Sequence, residues 1–130
     1  MERVLITGGS GLVGKQLTAL LQERGYLVRH LNRSKRANSG IDTATWDVNA
    51  GTVSPGAFTD VSHIVHLAGA GIADKKWSAS RKKLLIDSRV DTAKLLFDSW
   101  KASGNPLKSF VSASAIGYYG MVTRDHIFTE

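Results

Sequence analysis

Cysteine is absent from this 130-residue chain, so neither a disulfide framework nor a thiolate metal site can form, and a reducing cytoplasm is the expected location. Long apolar runs are missing too. None approaches the ~20 residues that span a bilayer, and the short apolar run near the start ends in glycines rather than in a signal-peptide layout, so no membrane partner is expected. Proline occurs twice, at Pro55 and Pro106, and both positions fall between candidate elements. No internal repeat or low-complexity stretch is visible. What remains is ordinary globular material, 42% apolar and 22% charged, enough for one domain with a real core.

Acid is also scarce where it would matter most. The formal net charge is +6, and between Glu23 and Asp42 every charged residue is positive. The cations form two clusters: Arg29, Arg33, Lys35 and Arg36, then Lys75, Lys76, Arg81, Lys82 and Lys83. The second sits at the start of a candidate helix, the wrong end for the helix dipole. Beside Trp77 it could meet an anionic ligand, but a solvated lysine-rich face is the plainer reading. Exposed aromatic pairs are lacking, so no nucleic-acid partner is expected.

The stretch Val4-Leu5-Ile6-Thr7-Gly8-Gly9-Ser10-Gly11-Leu12-Val13-Gly14 organises the chain. A short β-branched apolar run suits a central parallel strand, and glycines follow at once. Gly9, Gly11 and Gly14 fit G-x-G-x-x-G, while Gly8, Gly11 and Gly14 fit G-x-x-G-x-x-G. Such glycines give a tight turn, a backbone bare enough for a pyrophosphate, and close helix-on-strand packing. The helix amides then face the anion. A helix with Leu12, Val13, Leu17, Leu20 and Leu21 on one apolar face follows, and Gly25 stops it.

Five strands are expected: Arg3 to Thr7, Leu27 to Asn32, Ala44 to Val48, His63 to Leu67 and Lys108 to Ala113. Helices are expected over Leu12 to about Arg24 and about Ser78 to Ala102, with only a turn or short helix between Asn49 and Asp60. Alternation of strands and helical crossovers predicts an α/β doubly wound parallel sheet in the order 3-2-1-4-5. An NAD site places a carboxylate about 20 residues past the glycines, and this chain has none there. Asn32, Arg33, Ser34, Lys35 and Arg36 occupy that place instead, where a guanidinium and a neighbouring hydroxyl would hold a 2′-phosphate. NADP(H) is therefore expected in preference to NAD(H).

Asp47 either reaches the adenine amino group or forms a turn, and both readings stand. The small residues Ala68 and Gly69 would let the cofactor ribose lie against the backbone. His63 and His66 fall on opposite faces of a strand, which argues against a two-histidine metal site, and both are read as structural, His66 as the more buried. The second helix has an inner stripe of Leu85, Thr92, Leu95, Leu96 and Ser99, and Arg89 on that side would need a partner such as a cofactor phosphate. Ser112, Ser114 and Tyr119 lie at or beyond the carboxyl end of the fifth strand, where the nicotinamide would lie.

The segments Thr7 to Gly14, Asn32-Arg33-Ser34, His66 to Ala70, Lys76 to Val90 and Phe110 to Gly120 together resemble the N-terminal part of an extended or atypical short-chain dehydrogenase/reductase. Within that NAD(P)-dependent epimerase/dehydratase superfamily the pattern is similar to the epimerase family protein subgroup. The resemblance implies a Rossmann-type NAD(P)-binding domain over residues 1–130, with the sixth strand and the substrate region beyond the chain. It also implies that Gly8, Gly11, Leu12 and Val13 line the pyrophosphate, Asn32 and Arg33 the ribose phosphate, and Leu67 and Ala68 the middle of the cofactor. Arg89 would add a contact and Ser114 would orient a small-molecule substrate, such as a nucleotide sugar. The superfamily's tyrosine with a lysine four residues later is missing, since Tyr26, Tyr118 and Tyr119 are followed by His30, Val122 and Thr123. An oxidoreductase or epimerase lacking half its equipment, or a non-catalytic NADP(H)-binding or redox-sensing module, are the two functional expectations. The edge of the fifth strand would invite a homo-oligomer.

Overall fold

The computed structural model describes residues 1–35, 40–69 and 75–113. Its elements run β1 (Arg3–Thr7), α1 (Leu12–Glu23), β2 (Leu27–Asn32), β3 (Asp42–Asp47), β4 (Thr52–Val53), β5 (Val61–His66), α2 (Ala79–Ser103) and β6 (Ser109–Ser112). The sheet order is β4-β3-β2-β1-β5-β6. Five of these strands are parallel and reproduce the expected 3-2-1-4-5 order. The sixth is a correction. β4 adds to β3 antiparallel where only a turn or short helix was expected. Its short pairing is held by Ser54, whose N–H donates to the Thr45 carbonyl at 2.8 Å and whose Oγ accepts from Thr45 N–H at 3.1 Å. Strand boundaries also move, most at two starts: β3 begins at Asp42, and β5 begins at Val61 through a register shift opposite Arg3 and Val4.

Strand alternation divides the core into two layers. Val4, Ile6 and Val28 face α1 and pack with Leu17 and Leu21. Leu5, Leu31, Trp46, Phe58 and Ile64 face the other way and pack with Leu96 of α2. Each side of the sheet is thus covered by the crossover that connects its strands, which explains why Leu5, Ile6 and Ile64 are fully buried.

The inner stripe of α1 differs from the expected one. Gly14 and Thr18 are its buried positions, Leu17 and Leu21 pack beside them, and Leu12, Val13 and Leu20 are exposed. The helix lies too close to the glycine turn for large side chains at its first inner positions. Its far end closes as a Schellman motif: Gly25, at φ +84°, donates to Gln22 O at 3.0 Å and Tyr26 donates to Leu21 O at 2.9 Å. α2 buries Leu85, Thr92 and Leu96, begins at the Ser78 cap and ends at Gly104 with φ +69°. Arg89 is exposed, so it does not lie on the buried stripe as expected.

Candidate functional site

The parallel strands all deliver their carboxyl ends to one edge of the sheet, and there the turn after β1 meets Leu67 and Ala68 after β5. Gly8 turns the chain out of β1 with φ +70°, and a Cβ on it would sit 2.9 Å from both Ala68 N and Leu67 C. Gly14 is equally constrained, since its Cβ would fall 2.4 Å from Gly8 O and 2.6 Å from Gly9 Cα. Gly11 N–H donates to Gly8 O at 3.1 Å, closing the turn. α1 then starts at Gly11 with no side chain capping it and no acid in its first turn. Unsatisfied amides with a partial positive charge are what such an end presents to an anion. Leu12 and Val13 in that first turn are 80% and 63% exposed.

Thr7 ties this turn to the neighbouring loop. Its Oγ1 accepts from Leu67 N–H and Ala68 N–H, each at 3.1 Å, so its own proton is directed to His66 Nδ1 at 2.7 Å. That leaves the His66 proton on Nε2, facing Thr92 Oγ1 at 3.2 Å, and Thr92 in turn donates to Ser88 O at 2.6 Å. Burial pushes the His66 pKa below the ordinary histidine value, with a backbone hydrogen bond at Arg89 acting weakly the other way. A neutral imidazole therefore bridges β1 to α2 beneath the site. His63 points to the opposite face, where it meets Tyr26 edge-on, 6.2 Å between ring centroids.

The expected site residues distribute as follows. Gly8, Gly11, Leu12 and Val13 form the turn and helix start, and Leu67, Ala68 and Gly69 form the adjoining loop. Thr7 pairs with Leu31, so Asn32 and the exposed Arg33 and Ser34 continue past β1's last residue on the same edge. Ser112 pairs with His66 at the end of β6. Arg89 comes to this edge from α2. Its guanidinium carbon lies 3.1 Å from where a Gly69 Cβ would be, and its Nη1 donates to Leu85 O at 3.1 Å. It reaches the rim as an exposed side chain, so the cost of a buried charge does not apply to it.

Asp47 Oδ1 accepts from Ala50 N–H at 3.0 Å, the turn-forming reading of that residue. Arg29 leaves the first basic cluster altogether. It pairs with Asp42 at 2.7 Å and donates to the carbonyls of Gly56, Ala57 and Thr59, fastening the opposite end of the sheet. In the second cluster Lys83 pairs with Asp87 one turn on, which raises its pKa, and Lys75, Lys76 and Lys82 are exposed. Arg36, Ala70, Ser114, Tyr118 and Tyr119 lie outside the described residues. Among the described residues no group of acids and histidines could hold a metal ion, and no helix is long and apolar enough to cross a membrane.

Residues 4–130 match the model of the NAD dependent epimerase/dehydratase family. The chain belongs to that family. Among this family member's relatives is an epimerase family protein of Mycobacterium leprae, 36% identical over 127 residues, covering 98% of this chain and 40% of the relative. The human epimerase family protein SDR39U1 is 33% identical over 119 residues, covering 90% of this chain and 38% of that protein. A solved structure of human SDR39U1 with NADPH superposes with a TM-score of 0.75 at 32% identity, covering 90% of this chain and 38% of that one. A nucleoside-diphosphate sugar epimerase from Corynebacterium glutamicum superposes with a TM-score of 0.72 at 33% identity, over 98% of this chain and 25% of that one. The family member described here thus spans about two fifths of the length of the curated relatives it matches.

Thr7, Thr18, His30 and Thr92 were not singled out from the sequence as site residues. A threonine directly before a glycine run was the available signal for Thr7. His30 carried none, because its partner lies on another element.

Proposed function

We propose that this chain is a dinucleotide-binding domain of the oxidoreductase and epimerase type that takes NADP(H) in preference to NAD(H). The observation that carries the reading is the uncapped start of α1, with Leu12 and Val13 exposed, behind a turn in which Gly8, Gly9 and Gly14 have no room for a Cβ. That donor set fits a diphosphate, which needs several amides and no competing acid. Leu12 and Val13 would offer those amides, with Gly8 and Gly11 keeping the backbone accessible. Thr7 holds the floor formed by Leu67, Ala68 and Gly69, along which the middle of the cofactor would run. Asn32, Arg33 and Ser34 would take the adenosine ribose and its 2′-phosphate.

The preference for NADP(H) is supported by the exposed guanidinium and hydroxyl at the end of β2 and by the absence of an acid between Glu23 and Asp42. The relative SDR39U1 was solved with NADPH, which agrees with it. A bound nicotinamide would supply hydride transfer at a hydroxyl or carbonyl carbon of a small molecule. Ser112 and Ser114 would lie at that end, Ser114 as a hydrogen-bond donor to substrate, and Arg89 would add a further cofactor contact. A nucleotide sugar is the substrate class suggested by the Corynebacterium relative.

A second reading is a module that binds NADP(H) without turnover. Titration of the chain with NADPH and NADH, followed by calorimetry, tests the proposal. NADPH is expected to bind on the order of tenfold tighter or more, and Arg33→Ala should abolish most of that margin. Equal affinities, unchanged in Arg33→Ala, would remove the NADP(H) preference. Turnover of a nucleotide sugar with cofactor reduction would remove the second reading.

A further inference from the structure

The second of the paired glycines, Gly9, is constrained by a side chain of the protein itself. A Cβ at Gly9 would lie 2.5 Å from Nε2 of His30 and 2.6 Å from both its Cδ2 and Cε1. His30 stands on β2, opposite Ile6 of β1, and is 6% exposed, so the ring has no room to retreat. Its Nε2 is 2.8 Å from Thr18 Oγ1, and that hydroxyl donates to Gly14 O at 2.7 Å. Since the one hydroxyl proton of Thr18 goes to the carbonyl, Nε2–H of His30 is the donor in the other bond. Gly14 meanwhile packs on the backbone of Gly8 and Gly9 from the helix side.

We propose that His30 is a positioning residue for the diphosphate-binding turn, resting on the dinucleotide reading given above. One imidazole joins β2, the turn at Gly9 and the second turn of α1. Gly9 is clamped between that ring and Gly14, so the amides that follow are fixed in place before a ligand arrives. Their ordering is then not charged against binding, which is the general advantage of a preorganised site. The buried, hydrogen-bonded ring also explains why two glycines stand together: Gly8 answers to the Leu67-Ala68 loop and Gly9 to His30.

The test titrates the whole chain and its variants with two probes, NADPH and adenosine 2′-monophosphate, the second of which carries no diphosphate. His30→Leu keeps apolar bulk and loses the donor, His30→Gln keeps an amide N–H for Thr18, and Thr18→Val removes the bridge from the α1 side while leaving the ring. Thermal melts establish that each variant is folded. His30→Leu and Thr18→Val should weaken NADPH about tenfold while leaving the 2′-monophosphate within about twofold, and His30→Gln should recover part of the loss. Unchanged NADPH affinity in both variants, or equal weakening of both probes, would overturn the positioning role while leaving the dinucleotide reading intact. A wild-type chain that binds the 2′-monophosphate but gains nothing from NADPH would overturn both.

Discussion

Replacing Thr7 by valine tests the joint between the β1 turn and the β5 loop with almost no change of shape. Thr7 is fully buried, and its hydroxyl serves three partners at once: Leu67 N–H, Ala68 N–H and His66 Nδ1. Leu67 N–H keeps the Thr7 carbonyl at 3.2 Å, so its loss is partial. Ala68 N–H and His66 Nδ1 lose the hydroxyl outright. A buried polar group deprived of its partner costs about 1–3 kcal/mol, and Ala68 is only half-buried, so water recovers part of its share. Roughly 2–3 kcal/mol is therefore expected for Thr7→Val. At about 3–5 °C per kcal/mol for a chain of this size, the Tm should fall by roughly 6–15 °C. Thr7→Ser, which keeps the hydroxyl and deletes only a methyl, should recover more than half of the loss. Chemical denaturation with a common m-value measures both. A Thr7→Val cost under ~0.5 kcal/mol, or Thr7→Ser falling as far as Thr7→Val, would refute the assignment of these bonds to the Thr7 hydroxyl.

Three other outcomes are expected. Gly9→Ala should destabilise by about 1–3 kcal/mol through collision with the His30 ring, whereas in a His30→Ala background the same change should cost under ~1 kcal/mol; a double-mutant cycle with no coupling would contradict the contact. Gly14→Ala gains helix propensity of about 1 kcal/mol but drives a methyl into the Gly8 carbonyl, so it should still lower the Tm, and a raised Tm would show that the helix can shift away. The folded His66 imidazole takes up a proton less readily than the unfolded one. Stability should therefore be fully present above the ordinary histidine pKa of 6.5 and decline as pH falls from there toward the lowered folded value. Denaturation of wild type and His66→Gln across that window checks the sign, and parallel pH profiles would contradict it.

The glycine turn and the parallel strand order were legible in the sequence because each is a local pattern. The run from Val4 to Gly14 carries strand, turn and helix start in consecutive residues, and the crossovers fix the order of β3, β2, β1, β5 and β6. β4 was not legible. Two residues between Gly51 and the Ser54-Pro55 pair hold no period, and their pairing depends on the Asp47 turn and on Ser54 bonding across to Thr45. Arg29 and Arg33 were grouped because they are close in sequence. Along a strand, four residues span roughly 13 Å, which sends one to the Asp42 end and the other to the site. On α1, periodicity ranks Leu12 and Val13 above Gly14 and Thr18, while close approach to the turn selects the small residues for the inner face. Arg89 is exposed and lies alongside Gly69, so the sequence argument that a charge on a buried stripe needs a partner does not apply to it. The Thr7–His66–Thr92 and Thr18–His30 bonds join residues from different elements, and no spacing rule brings those together.

In the proposed complex the amides at the start of α1 are the seat of the diphosphate. Amide-resolved NMR of the chain during titration with NADPH measures this most directly. The largest shifts are predicted at Gly9 through Gly14, with a second group at Leu67 through Gly69 and a third at Asn32 through Ser34. Shifts gathered instead at Lys75 through Lys83 on the start of α2, or none at saturating NADPH, would contradict it.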